Sequence, residues 1–170
     1  SHAEAVREKT GLPLSPYFSA SKMAWILQNH PEAAALAAKE RLALGTIDSY
    51  LVSRLSEERS FKTDYSNASR TQLFNIRTLQ WDDELCTLYG VPRHCLAEVC
   101  MSDSLFGTTT LSGFLPKAIP ICGVLGDSHA ALLGQNCIKP GQTKATYGTG
   151  SSVMMQTGEK LVTSRNGLAT

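Results

Sequence analysis

A carboxylate closes an apolar run. Residues 119–126 read Ile-Pro-Ile-Cys-Gly-Val-Leu-Gly, Asp127 follows, and Ala130 to Cys137 has a helix-like composition. Further on, Tyr147-Gly148-Thr149-Gly150 offers a turn of small residues between two strand-like segments. An acid at a strand-to-helix switch is placed to take a proton from a substrate hydroxyl, at the strand end where α/β folds collect ligands. A turn without bulky side chains lets backbone N–H groups approach a phosphate. Together the two features point to phosphoryl transfer onto an alcohol, in which positioning matters more than base strength. Each also has a plainer reading. Asp before a helix is a common N-cap, and a Gly/Thr-rich turn is an ordinary hairpin connection.

A second chemistry is written over the same residues. Gly126-Asp127-Ser128-His129-Ala130 resembles a nucleophile elbow with Ser128 at its centre, although Ala130 stands where that motif has glycine. A hydrolase would need a distant histidine backed by an acid, and His2, His30 and His94 have no such setting. Tyr17, between Pro16 and Phe18, could line a polar pocket or simply pack. The trio Asp82, Asp83 and Glu84 fits the start of a helix, where the dipole favours acids, better than a metal site.

These residues need a scaffold of mixed helices and strands. Residues 4–10 read as the tail of a helix, and Pro13 and Pro16 punctuate the loop after it. From Ser19 the spacing of Met23, Ile26 and Leu27 predicts a helix. Pro31 should start another, running through the Ala-rich stretch from Glu32 to Leu44 and stopped by Gly45. Asp48 is expected to cap a helix over 49–55. Short strands are expected over 72–75 and 97–101, with a helix over 81–88 that Pro92 stops. Thr108 to Gly113 reads as a turn, Ile119 to Leu125 as a buried strand, and Ala130 to Cys137 as a short helix. Pro140-Gly141 is the sharpest break, before a hairpin of 143–147 and 151–155. The class is α/β.

Composition narrows the partners. With 42% hydrophobic and 18% charged residues, the chain has the makings of an ordinary core. A net charge of +1 implies no basic face, so nucleic acid is not expected. No apolar run reaches the length of a membrane span, and no signal-peptide pattern opens the chain. The five cysteines are irregularly spaced, which suits reduced thiols in the cytoplasm better than disulfides or zinc.

Tyr17-Phe18-Ser19-Ala20-Ser21-Lys22-Met23-Ala24-Trp25-Ile26-Leu27-Gln28-Asn29 resembles the first signature of the FGGY carbohydrate kinase family. Gly45-Thr46-Ile47-Asp48-Ser49, Thr63-Asp64-Tyr65-Ser66-Asn67-Ala68-Ser69-Arg70-Thr71, Leu73-Phe74-Asn75-Ile76 and Trp81-Asp82-Asp83 continue the likeness. So do Gly126-Asp127, Tyr147-Gly148-Thr149-Gly150 and Asn166-Gly167-Leu168, in the family's order along nearly the whole chain. The form is most similar to the glycerol-phosphorylating branch.

The resemblance implies part of an actin-like ATPase (ribonuclease H-like) fold, with ATP and Mg2+ bound in a cleft between two domains. Residues 1–140 would be the C-terminal part of the first, substrate-binding domain, and residues 141–170 the start of the second, nucleotide-binding domain. By the same resemblance Asp127 is the catalytic base. Tyr17 and Ser128 join it around the acceptor, while Gly148, Thr149 and Gly150 contact the nucleotide phosphates. No metal ligand is assigned. The expected partners are a small polyol or sugar and ATP, and self-association of the whole protein stays open. Glycerol-phosphorylating members usually carry Gln-Gln after the catalytic acid, and Ser128-His129 stand there instead. That substitution keeps another polyol or a ketose as the alternative acceptor. On this reading the chain is an excerpt of a larger enzyme, and inactive by itself. A non-catalytic relative and the Ser128 hydrolase are the remaining alternatives.

Overall fold

The structure, a computed structural model, describes residues 1–170. Helix α1 (His2–Thr10) ends at Gly11, whose φ of 71° is the left-handed conformation that glycine adopts without strain. Helices α2 (Ser19–Asn29) and α3 (Pro31–Ala38) follow, with Pro31 in the first turn of α3. Helix α3 is shorter than its Ala-rich sequence predicts. Glu40 takes a left-handed φ of 53°, and the Arg41 N–H donates to the Leu36 carbonyl, closing the end before Leu44. Leu44 instead pairs alongside Leu96 as an isolated parallel bridge.

Helix α4 (Ile47–Leu55) leads into strand β1 (Lys62–Asp64) and the single turn α5 (Tyr65–Ala68). Asp48 lies inside α4 and is not its cap. Its buried carboxylate accepts from the Thr63 hydroxyl at 2.6 Å and so ties α4 to β1. Strands β2 (Phe74–Asn75) and β3 (Gln80–Trp81) form a short antiparallel ladder. Helix α6 (Asp83–Tyr89) starts at the acidic trio, with Asp82 accepting from the Glu84 and Leu85 N–H groups at 3.1 Å each. Gly90, at φ 66°, ends it before Pro92 is reached.

Strand β4 (Glu98–Cys100) runs parallel to β1 in the register Thr63↔Val99. Strands β5 (Gly107–Thr109) and β6 (Ile119–Ile121) pair antiparallel. The apolar run is therefore a three-residue strand rather than a buried one of seven, and Ile119 is 49% exposed. Helix α7 (Asp127–Gly134) and the antiparallel pair β7 (Thr143–Tyr147) and β8 (Ser151–Met155) complete the chain. The hairpin spans the residues its sequence predicts.

The main core joins α2, α3, α6 and the segment before β4. Ala20, Met23, Ala37, Leu73, Cys86 and Leu96 are among its buried members. Beside it Phe74 packs edge-on against Trp81 at 5.7 Å between ring centres, and Tyr65 lies over its other side at 5.9 Å. Such aromatic pairs add about 0.5–1.5 kcal/mol each beyond the area they bury. The Trp81 indole N–H donates to the Ala97 carbonyl at 2.7 Å, locking the β2–β3 ladder to the strand that supports the site.

Candidate active site

Asp127 is the first residue of α7, and Gly126 occupies the cap position with extended backbone. The carboxylate therefore does not serve as the helix cap. It is exposed, and its one hydrogen bond within the chain comes from the N–H of Ser128. An exposed acid with neither a capping role nor an ion pair is available to a ligand.

The backbone just before Asp127 is held from the interior. The Gly126 N–H donates to Ser66 Oγ at 2.7 Å, and Ser66 Oγ donates to Asp64 Oδ2 at 2.6 Å. Asp64 is fully buried. Burial alone would push its carboxyl upward, but hydrogen bonds from Ser102, Ser66 and Asn67 outweigh that and hold it below the usual carboxylate range.

His129 is half-buried on α7. Burial lowers its basicity, Arg70 and Lys144 add to the effect, and Asp64 and Asp127 oppose it. Lys144 on β7 is only 2% exposed and donates to the hydroxyls of Thr146 at 2.8 Å and Ser152 at 3.1 Å.

Helix α7 packs against both β7 and β8, so Asp127 and the hairpin belong to one substructure. At the hairpin tip Gly148, Thr149 and Gly150 are all exposed, and Tyr147 beside them is 82% exposed. The Gly148 N–H turns inward to the Gly150 carbonyl at 3.2 Å. The N–H groups of Thr149 and Gly150 make no backbone hydrogen bond. Two unpaired donors without bulky side chains are a place where an anionic oxygen fits.

Tyr17 lies in the loop before α2. It is 81% exposed, its ring set edge-on to Phe18 at 5.3 Å. Lys22 braces that loop, its ammonium donating to the carbonyls of Pro16 at 3.0 Å and Phe18 at 3.3 Å. No hydrogen bond joins Tyr17 to Asp127 or to the hairpin tip. Two surface depressions, of about 250 Å3 between α1 and the C-terminal stretch and about 450 Å3 between α1 and α6, include none of the site residues.

Ser128 lacks the equipment of a hydrolase. It lies within the first turn of α7 and has no positive φ, so the strained elbow is absent. Its hydroxyl bonds to no histidine, which leaves it without a base.

Asp64, Ser66 and Ser102 were not picked out by their chemistry in the sequence. The only sign of the importance of Asp64 is its place in the Thr63 to Thr71 match.

Residues 1–134 match the sequence model of the FGGY family of carbohydrate kinases, N-terminal domain. The chain is 50% identical over 165 residues to a glycerol kinase of Bdellovibrio bacteriovorus, covering 97% of this chain and 33% of that one. It superposes on a solved Plasmodium falciparum glycerol kinase with ADP at a TM-score of 0.91 and 36% identity, covering 98% of this chain and 33% of that one. A solved xylulose kinase of Lactobacillus acidophilus gives 0.73 at 20% identity, covering 89% and 30%, a likeness of fold alone. The chain spans about a third of the length of the relatives it matches. Its fold is part of the actin-like ATPase fold expected from the sequence. Exposed acid, braced loop and hairpin thus sit on a scaffold whose sequence and shape agree, and the chain belongs to the FGGY family of carbohydrate kinases.

Proposed function

We propose that this chain works within an ATP-dependent polyol kinase that moves the γ-phosphoryl group of ATP onto a hydroxyl of glycerol, giving glycerol 3-phosphate. One observation carries the reading: an exposed, uncapped carboxylate at Asp127, on a helix packed against a hairpin whose Thr149 and Gly150 N–H groups are unpaired. The relatives named above, two of them glycerol kinases, support the choice of acceptor.

In this reading Asp127 accepts a hydrogen bond from the attacking hydroxyl, aims it along the line of transfer and takes its proton as the bond to phosphorus forms and the bond from the γ-phosphorus to the departing ADP breaks. Tyr17 and Ser128 contact the acceptor, with Ser128 offering a short hydroxyl in place of an amide. Gly148, Thr149 and Gly150 hold phosphate oxygens through backbone N–H groups and the Thr149 hydroxyl. Mg2+ bound with ATP would neutralise charge on the phosphates. No group of three or more acidic, histidine or cysteine side chains of this chain is gathered to hold a metal, and none of its residues is assigned to the ion.

Residues 1–140 serve as part of the acceptor-binding domain and 141–170 open the nucleotide-binding domain. The family match ending at 134 and the break at Gly141, φ 87°, support that division. No helix is long and apolar enough to cross a membrane, and we place the enzyme in the cytoplasm.

The test uses the complete enzyme with ATP and a panel of glycerol, other polyols and ketoses. Glycerol is expected to give the highest kcat/KM, and Asp127→Asn to lower kcat by about 10²–10⁴-fold with ATP binding unchanged. Near-parent turnover by Asp127→Asn removes the base from its role. Preference for a ketose moves the acceptor to the alternative that Ser128-His129 keeps open.

A further inference from the structure

We propose that Asp64, acting through Ser66, is a positioning residue that sets the direction of Asp127, a role that rests on the kinase reading above. Asp64 is fully buried and takes part in no salt bridge. It is satisfied instead by five neutral donors. Oδ1 accepts from the Asn67 backbone at 3.1 Å and the Asn67 side chain at 2.7 Å. Oδ2 accepts from the Ser66 backbone at 3.0 Å and from the hydroxyls of Ser66 and Ser102, both at 2.6 Å.

Capping the single turn of α5 requires only the two backbone donors. The hydroxyls exceed that need, and both lead to the strand-to-helix connection before Asp127. With its proton committed to Asp64, Ser66 Oγ is left as an acceptor and receives the Gly126 N–H at 2.7 Å. The Ser102 carbonyl receives the Val124 N–H at 3.0 Å. One carboxylate thus orients the groups that grip residues 124 and 126.

The grip is tight. A β-carbon placed on Gly126 would lie 3.3 Å from His129 Nδ1 and 3.4 Å from Ser66 Oγ. Gly126 is the last residue before α7, so the dihedrals that the Ser66 bond restrains decide where the next carboxylate points. A misplacement of about 1 Å in a reacting group can cost a hundredfold in rate. That is why the chain keeps a buried charge here without a countercharge.

The test compares Ser66→Ala, Ser66→Thr and Ser69→Ala in the complete enzyme. Ser69 Oγ bonds the Ser66 carbonyl and does not reach Gly126, so Ser69→Ala controls for the loss of a buried hydroxyl. Ser66→Ala is expected to lower kcat roughly ten- to a hundredfold with KM for ATP unchanged. Ser66→Thr should restore kcat, and Ser69→Ala should keep it despite a similar drop in melting temperature. Parent kcat in Ser66→Ala, or equal kcat losses in Ser66→Ala and Ser69→Ala, overturns the proposal.

Amide hydrogen exchange at Gly126 provides a readout without turnover. It should be slow in the parent and in Ser66→Thr and fast in Ser66→Ala, and fast exchange in the parent overturns the proposal. A parent that phosphorylates no alcohol, or an active Asp127→Asn, instead sinks the kinase reading and leaves the Gly126 result standing on its own.

Discussion

Asp64→Asn isolates what a buried carboxylate contributes, because the amide keeps the shape and removes the charge. In the parent, two oxygens accept five hydrogen bonds. An amide nitrogen at the Oδ1 position would face the Asn67 backbone N–H, which cannot turn away, and the Asn67 side-chain amide, which can flip to accept. At the Oδ2 position it would face two hydroxyls that can rotate to accept, and the Ser66 N–H, which cannot. Either orientation strands one buried backbone donor, at about 1–3 kcal/mol. The bonds that remain lose charge assistance and roughly half their strength. The expected loss is about 3 kcal/mol at neutral pH, and about 6–12 °C in melting temperature for a chain of this size.

Urea unfolding read from tryptophan fluorescence measures that loss, since Trp81 packs on the core. The pH dependence gives an independent check. The folded carboxyl titrates below its unfolded value. Its contribution is therefore complete above the unfolded pKa of about 3.9 and disappears as pH falls through the folded one. The gap between parent and variant should be constant from pH 6 to 8 and close in acid. A loss under about 0.5 kcal/mol at pH 7, within the range of ordinary surface substitutions, or a gap that widens in acid would refute the reasoning.

Gly90→Ala should cost about 1 kcal/mol from backbone conformation alone, because φ is 66° and nothing lies within 4 Å of the added carbon. Gly90→Asn should recover most of it, and an equal loss in both variants by urea titration would point to a steric cause. The Cys86 thiol is pushed up to about 11, mainly by burial with Asp83 adding to it, and burial raises Cys95 as well. A thiol reagent at pH 8 should therefore label exposed Cys122 first and reach Cys86 and Cys95 only in denaturant. Prompt labelling of Cys86 in the folded protein, seen by peptide mass spectrometry, would contradict its burial.

Local signals were legible where one principle dominated. Helix α2, the acidic start of α6 and the β7–β8 hairpin follow from periodicity, dipole and turn residues. The apolar run misled because hydrophobic content marks affinity for a core and not position within it, and β6 pairs only with β5. Helix α3 stops early because Glu40 accepts a left-handed backbone that composition does not announce. Asp127 was visible as a candidate, and the structure removed its plain reading as a cap by giving that place to Gly126. Asp64 was hidden because its function depends on partners such as Ser102 and, through Ser66, Gly126. No local pattern encodes contacts of that range.

The bond from Gly126 to Ser66 also bears on the order of folding. It closes a loop of 60 residues, and the closure entropy of such a loop is on the order of 3–4 kcal/mol. One hydrogen bond cannot offset that, so the contact must wait until the β1–β4 pairing and the bond from Val124 to Ser102 have brought its ends together. The acid then acquires its aim late in maturation. A partly assembled chain would carry Asp127 and still lack the alignment that its proposed role requires.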